Sequence, residues 1–219
     1  MSRGAVGLIL ELVFFSLAFG LRSVVQWRRT GSTGFIRPRR GAPAIELVGS
    51  GLFVLAIVLL VVGPVADLAG ASRFFDSVVI AAVGMTVAMV GVGLTLWAQV
   101  SMGDSWRIGV DQSATTDLVI SGVFAIVRNP IFTAMVLAAT GLALMMPNVW
   151  SVAAMITLVV GLQVQVRRVE EPYLRRTHGR AYGLYLGAVG RFVPRVGTVT
   201  PPADGAVAPA AYDRRTAGP

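Results

Sequence analysis

Two charged clusters flank a long apolar stretch in the C-terminal half of the chain. Arg128-Asn129-Pro130 precedes it, and Arg167-Arg168-Val169-Glu170-Glu171-Pro172 follows it. Between them the sequence is nearly all apolar and breaks at Met146-Pro147-Asn148. If the two runs are membrane helices joined by that turn, both clusters emerge on the same side. Ionisable groups at one end of a membrane hairpin need partners, so they mark a candidate site. Arg128 can snorkel to the headgroups or meet Glu170 or Glu171 across the hairpin. Adjacent helical residues point about 100° apart, so one glutamate can face inward while its neighbour faces arginine or water. An inward carboxylate accepts hydrogen bonds from a ribose diol or an amino group; the plainer alternative is a solvated charge run. Arg107, in Ser105-Trp106-Arg107-Ile108-Gly109, adds a guanidinium that can pair with Asp104 or Asp111 or bind an anionic substrate group. Asn129-Pro130 also has a structural explanation, as an N-cap followed by proline at the first helical position. Trp106 reads as a membrane-interface residue, and His178 as a surface one.

Composition restricts the chemistry. Of 219 residues, 55% are hydrophobic and only 14% are charged, too apolar for a soluble domain. There is no cysteine, which excludes disulfides and thiolate nucleophiles, and a single histidine excludes a multi-histidine metal site. The net charge of +8 comes wholly from arginine. The arginines sit between apolar runs rather than along one polar face, so they read as topology determinants and not as a nucleic-acid surface.

The elements that must position these groups are membrane helices. Five apolar runs come near the ~20 residues needed to span hydrocarbon: Val6–Val25, Ile45–Leu68, Ser77–Val100, Ile131–Met146 and Val149–Val166. The first contains Glu11 and Arg22 and lacks a small-residue cleavage site after it, so it reads as a retained helix. Arg28, Arg29, Arg37, Arg39 and Arg40 follow span one without an acid, and Arg175, Arg176, Arg180, Arg191 and Arg195 follow span five. The positive-inside rule then predicts a multi-pass cell-membrane protein with its N-terminus outside, its C-terminus in the cytoplasm and both clusters on the cytoplasmic side. Gly84, Ala88, Gly91 and Gly93 in span three predict close helix packing; the functional alternative is that Gly91 and Gly93 leave room for a ligand. Residues 172–193 read as one or two interfacial helices against the cytoplasmic face, and 198–219 as a disordered tail. The expected fold is all-α, with about five transmembrane helices. The expected organisation is a two-span region 1–76 that shapes an acceptor pocket, and a core 77–197.

Two stretches carry a family resemblance. Leu118-Val-Ile-Ser-Gly-Val-Phe-Ala-Ile-Val-Arg-Asn-Pro-Ile-Phe132 resembles the pattern LV-x-x-G-P-Y-x-x-V-R-H-P-x-Y. Glu170-Glu-Pro-Tyr-Leu174, Gly179-Arg-Ala-Tyr182, Tyr185 and Arg191-Phe-Val-Pro194 resemble EE-x-x-L, G-x-x-Y-x-x-Y and R-F-x-P. In order and spacing, from about Val100 to Pro194, they are similar to the isoprenylcysteine carboxyl methyltransferase and phospholipid methyltransferase superfamily. The chain departs from that pattern at Asn129, where histidine is usual, and at Val123 and Phe132. Asparagine still donates a hydrogen bond but carries no charge.

The resemblance implies a bound S-adenosylmethionine near the cytoplasmic face. Arg128, Asn129 and Pro130 would line one wall and Glu170 and Glu171 another, with Tyr182, Tyr185 and Arg191 as neighbours. It also implies methyl transfer to a lipophilic acceptor held among membrane lipids, with no metal. For a carboxylate acceptor, Arg107 or Arg128 would position the anion; for an amine, Glu170 or Glu171 would take a proton. Two other readings compete: an NADPH-dependent membrane reductase of the sterol-reductase type, and a non-catalytic membrane scaffold or lipid-binding protein. The acceptor atom and the oligomeric state are not readable from the sequence.

Overall fold

The computed structural model describes residues 1–36, 42–109 and 117–199. Arg37, Arg39, Arg40, Asp111 and the tail from 200 onward lie outside the described residues.

Helix α1 runs from Arg3 to Thr30, starts on the Ser2 hydroxyl and passes through a π-helical turn at Ser16–Leu21. It ends at Gly31, whose φ of 75° suits glycine. Helix α2 (Ala44–Leu68) carries Pro64 in its interior, and α3 (Val78–Ser101) starts on the Ser77 hydroxyl. Helix α4 (Pro130–Met145) is short, and α5 (Val149–Val164) starts on Asn148. The Asn148 carbonyl accepts from Trp150 and Ser151 N–H, while its amide donates to the Gly63 carbonyl. A second π turn, Gln165–Glu170, joins α5 to α6 (Glu171–Ala188) without a break in direction; Gly179, at φ 48° and ψ −119°, interrupts α6.

Four of these stretches are long and apolar enough to cross a membrane: Arg3–Thr30, Ala44–Leu68, Val78–Ser101 and Val149–Ala188; Pro130–Met145 is apolar but shorter. Large hydrophobic side chains face outward along them, including Val54, Val58, Val83 and Trp97. An outward apolar surface on long helices is stable in hydrocarbon. With no strand among the described residues, this is an all-α integral membrane protein. The membrane-crossing part of the last stretch is its apolar portion, to about Val166; exposed Arg167 and Arg168 end it.

Helix α3 packs along α4, α2 along α5, and α1 along α2. Small residues set the first contact. A Cβ added to Gly91 would collide with the Ala138 backbone, and one on Gly141 with Ala88. The space at Gly91 is therefore filled by α4 and does not open for a ligand. Gly93 has no atom within 4 Å of where its Cβ would be and faces outward.

The helices alternate, so the C-terminal ends of α1, α3 and α5 share one end of the bundle with the N-terminal ends of α2 and α4. Here the chain makes polar connections. Arg22 donates to the Gly103 carbonyl, Gln26 to the Asp104 carbonyl at 2.7 Å, and Gln99 to the Ala18 carbonyl at 3.0 Å. Trp106 is buried beneath Arg22, whose guanidinium carbon lies 4.8 Å from the ring centroid. It is thus a packed cation–π partner and not a membrane-interface residue.

Candidate functional site

The segment 117–129 leads into α4 and pairs with the chain beyond α6. Val127 bridges to Gly190, Arg128 N–H donates to the Gly190 carbonyl at 2.8 Å, and Asn129 N–H to the Arg191 carbonyl at 3.1 Å. The Asn129 amide adds a bond to the same Arg191 carbonyl at 3.0 Å. Asn129 occupies the N-cap position of α4 and Pro130 its first turn, as the sequence predicts, but the Asn129 side chain makes no capping bond and serves the C-terminal strap instead. Thr133 Oγ1 continues the seam to the Phe192 carbonyl at 2.9 Å. The strap does not end at 197, because Val199 N–H still donates to the Leu186 carbonyl.

Arg128 is only 6% exposed and uses both of its terminal nitrogens. Its Nη1 donates to the Leu186 and Val189 carbonyls at 3.0 and 2.7 Å. Its Nη2 donates to Glu171 Oε1 at 3.1 Å and the Gly197 carbonyl at 3.0 Å. The first two acceptors lie at the C-terminal end of α6, where orphan carbonyls and the helix dipole favour a cation. Glu171, equally buried, also takes a two-point contact from Arg191, at 2.6 Å from Nε to Oε1 and 3.0 Å from Nη2 to Oε2. Burial alone would raise the Glu171 pKa, but the Arg191 hydrogen bond and the charges of Arg191 and Arg128 outweigh it and hold the carboxyl below its ordinary value. The Arg191 guanidinium is raised in turn, chiefly by its hydrogen bond to Glu171.

Glu170 points elsewhere. Gln165 donates to its Oε1 at 3.4 Å, across the π turn. Burial pushes its carboxyl up to about 7, against the pull of the Gln165 bond and the Arg107 charge, and with Glu171 adding to the rise. Arg107 reaches the same region: its Nη2 donates to the Tyr173 hydroxyl at 3.4 Å, and its guanidinium carbon lies 5.9 Å from that ring. Backbone bonds from Ile36 and Ile108 N–H tie the Arg107 loop to the chain after α1. Asp104 pairs with Arg29. Tyr182 and Tyr185 are buried behind the cluster, with ring centroids 6.1 Å apart, and Tyr185 donates to the Phe124 carbonyl at 2.6 Å. The Tyr182 phenol is raised above its ordinary value by burial first and then by Glu171.

The structure thus gathers Arg128, Asn129, Pro130, Glu171, Tyr182, Tyr185 and Arg191 into one knot, and sets Arg107 and Glu170 beside it around Tyr173. Adjacent glutamates have opposite environments, one locked between two arginines and one poised near neutrality. Such divergence is a mark of functional carboxyl pairs. Gln165 and Tyr173 were not singled out from the sequence. Gln165 lies in an otherwise apolar run, and that was the available signal. Among the described residues no group of acidic or histidine side chains could hold a metal.

Residues 79–181 match the family model for phospholipid methyltransferase. That segment belongs to the phospholipid methyltransferase family. The phospholipid methyltransferase segment begins at the second residue of α3 and ends within α6. It contains Arg107, Arg128, Asn129, Pro130, Glu170 and Glu171, and stops short of Tyr182, Tyr185 and Arg191. The family is one of integral membrane methyltransferases, in keeping with the helical bundle. No curated protein matches the chain.

Proposed function

We propose that the protein transfers a methyl group from S-adenosylmethionine to a lipophilic acceptor at the cytoplasmic face of the cell membrane. The observation that carries this reading is that the family segment draws Arg107, Glu170 and the Arg128–Glu171 pair to one end of the bundle. The donor set suits the cofactor. The planar fork of Arg107 matches a methionine carboxylate, and the Glu170 carboxyl matches an amino group or a ribose diol. The bound cofactor supplies a methyl group already activated by its sulfonium, so the protein's task is proximity and alignment.

In this reading Arg128, Glu171 and Arg191 act by position. They fix the strap against α4 and α6, and so set the wall on which Asn129, Pro130, Tyr182 and Tyr185 stand. Glu170 has the pKa for proton transfer at neutral pH. With an amine acceptor its carboxylate would take the proton released from nitrogen as the N–CH3 bond forms and the sulfonium's S–CH3 bond breaks. With a carboxylate acceptor no proton moves, and Arg107 orients the anion. The first two membrane helices, in 1–76, shape the pocket for the acceptor's hydrocarbon, while 77–197 forms the core. The arginine-rich end faces the cytoplasm.

Calorimetry on the purified protein tests this. Saturable binding of S-adenosylmethionine is expected, at least about tenfold weaker in Glu170→Gln and Arg107→Gln, where a charged hydrogen bond is lost. Mass spectrometry of lipid extracts from cells with and without the protein should then show a product heavier by one CH2 unit. Absence of saturable binding, or binding of NADPH in its place, overturns the reading.

A further inference from the structure

A groove of about 170 Å³ opens between α4, α5 and the C-terminal strap. On the measure by which one water needs about 10–15 Å³, it has room for a run of methylene groups. Its rim is polar, formed by Thr133 in the first turn of α4 and Gln163 in the last turn of α5. Below the rim it is apolar. Val136 and Val159 lie about 4.5 and 6 Å nearer mid-membrane at 1.5 Å per residue, and Phe192 and Val193 of the strap close one side. Exposed Val160 and Ile156 carry the apolar surface further along α5. None of Arg107, Arg128, Glu170 and Glu171 lines this groove.

The charge at the rim is cationic and uncompensated. Arg167 Nε donates to Gln163 Oε1 at 2.8 Å, which anchors the guanidinium beside the rim. Its two terminal nitrogens, and the Gln163 amide nitrogen, have no acceptor among the described residues. Val193 opens a tight turn, closed by the Val196 N–H donating to the Val193 carbonyl at 3.1 Å. Arg195 stands exposed in that turn at φ 64°, the one non-glycine residue with positive φ among the described residues. Arginine in this conformation carries a backbone cost that glycine would not. No carboxylate pairs with Arg167 or Arg195 among the described residues.

What fits is an amphiphile with an anionic head and a hydrocarbon tail. The free edge of a guanidinium matches two phosphate oxygens. The Gln163 amide nitrogen matches an ester carbonyl just below them. Two unpaired arginines favour a head without a cation of its own, since a choline ammonium would stand beside them and be repelled. Basic groups between membrane helices are a setting in which anionic lipid headgroups bind. We propose that the groove binds one anionic phospholipid, its phosphate on Arg167 and Arg195 and the upper part of one acyl chain between Val136, Val159 and Phe192. The bound lipid buttresses the strap from the membrane side, because the Phe192 carbonyl accepts from Thr133 and Arg191 before it holds Glu171. The site is independent of the methyl-transfer reading.

Native mass spectrometry of the full chain in detergent micelles tests this, with dioleoylphosphatidylglycerol and dioleoylphosphatidylcholine as probes. Wild type should bind phosphatidylglycerol saturably, at least about fivefold more tightly than phosphatidylcholine. Arg167→Gln and Arg195→Gly should each weaken phosphatidylglycerol binding about fivefold. Arg176→Gln, which removes an exposed arginine of α6 that does not line the groove, should bind as wild type does. Val136→Trp fills the groove and should abolish the saturable phase. Equal wild-type affinity for the two lipids overturns the proposal, as does a loss in Arg176→Gln matching that in Arg167→Gln. Saturable binding that survives in folded Val136→Trp overturns it too. Should Val136→Trp fail to fold, the comparison of Arg167→Gln with Arg176→Gln decides alone.

Discussion

Arg128 and Glu170 show how differently two charged residues can be used at one end of the bundle. Arg128 makes four hydrogen bonds to protein acceptors, three of them backbone carbonyls. Lysine keeps the charge but has no fork to reach acceptors on both sides. Arg128→Lys should therefore leave carbonyls of the α6 end unsatisfied and lower stability by about 3 kcal/mol, read as a drop in the thermal midpoint in detergent. Glu170 should behave in the opposite sense. Its folded pKa of about 7 lies above its ordinary 4.5, so the folded protein binds the extra proton between those values. Stability then falls as pH rises through that window and levels off above about 7. Glu170→Gln removes this loss. The variant should be more stable than wild type at pH 8 by up to about 3 kcal/mol, with the gap closing toward pH 4.5, even as the proposed cofactor binding weakens. A variant less stable than wild type at pH 8 would show that the carboxylate is held by partners rather than penalised by burial.

At the scale of the elements, the α3–α4 seam carries the site, because α4 begins at Asn129-Pro130 and its register fixes where Arg128 meets α6. Gly91 and Gly93 differ by two residues and by everything around them. Gly91→Val forces a side chain into the Ala138 backbone, an overpacking that costs about 1–3 kcal/mol. Gly93→Val points into open space and should leave the thermal midpoint unchanged. Helix bounds were legible because apolar runs end where charge begins: Ile45–Leu68 is observed as Ala44–Leu68, and Ser77–Val100 as Val78–Ser101. The first helix outruns its apolar stretch because Arg22 and Gln26 find carbonyl acceptors in the 103–104 turn, a tertiary contact no local pattern reveals. The Arg128–Glu171 pairing was legible as an alternative from the level ends of the α4–α5 hairpin. Arg191 came only through the family resemblance, since its place depends on a strap whose path is set by backbone bridges. Asn129 holds the N-cap position that the sequence indicates, but that its amide serves the strap was hidden for the same reason.

The whole molecule has unlike ends. At the end holding the N-terminus, Arg73 makes a two-point pair with Asp67 at 2.7 and 2.9 Å, and Asp76 joins Arg3 and Arg73, so basic and acidic groups balance. At the other end Arg167, Arg168, Arg175 and Arg176 follow the last span, with acidic groups few and mostly engaged. The proposed orientation follows from this polarity, since unbalanced arginines favour the cytoplasmic side. The chain has no cysteine, so a single introduced thiol reports its own side. In sealed right-side-out vesicles a membrane-impermeant maleimide should label Ala71→Cys, in the loop after α2, and should leave Ser32→Cys, after α1, unlabelled; inverted vesicles should exchange the two results. Labelling of Ser32→Cys alone in right-side-out vesicles would place Arg107, Glu170 and the Arg128 knot outside, away from the soluble cofactor pool, and the methyl-transfer reading would fall with the orientation.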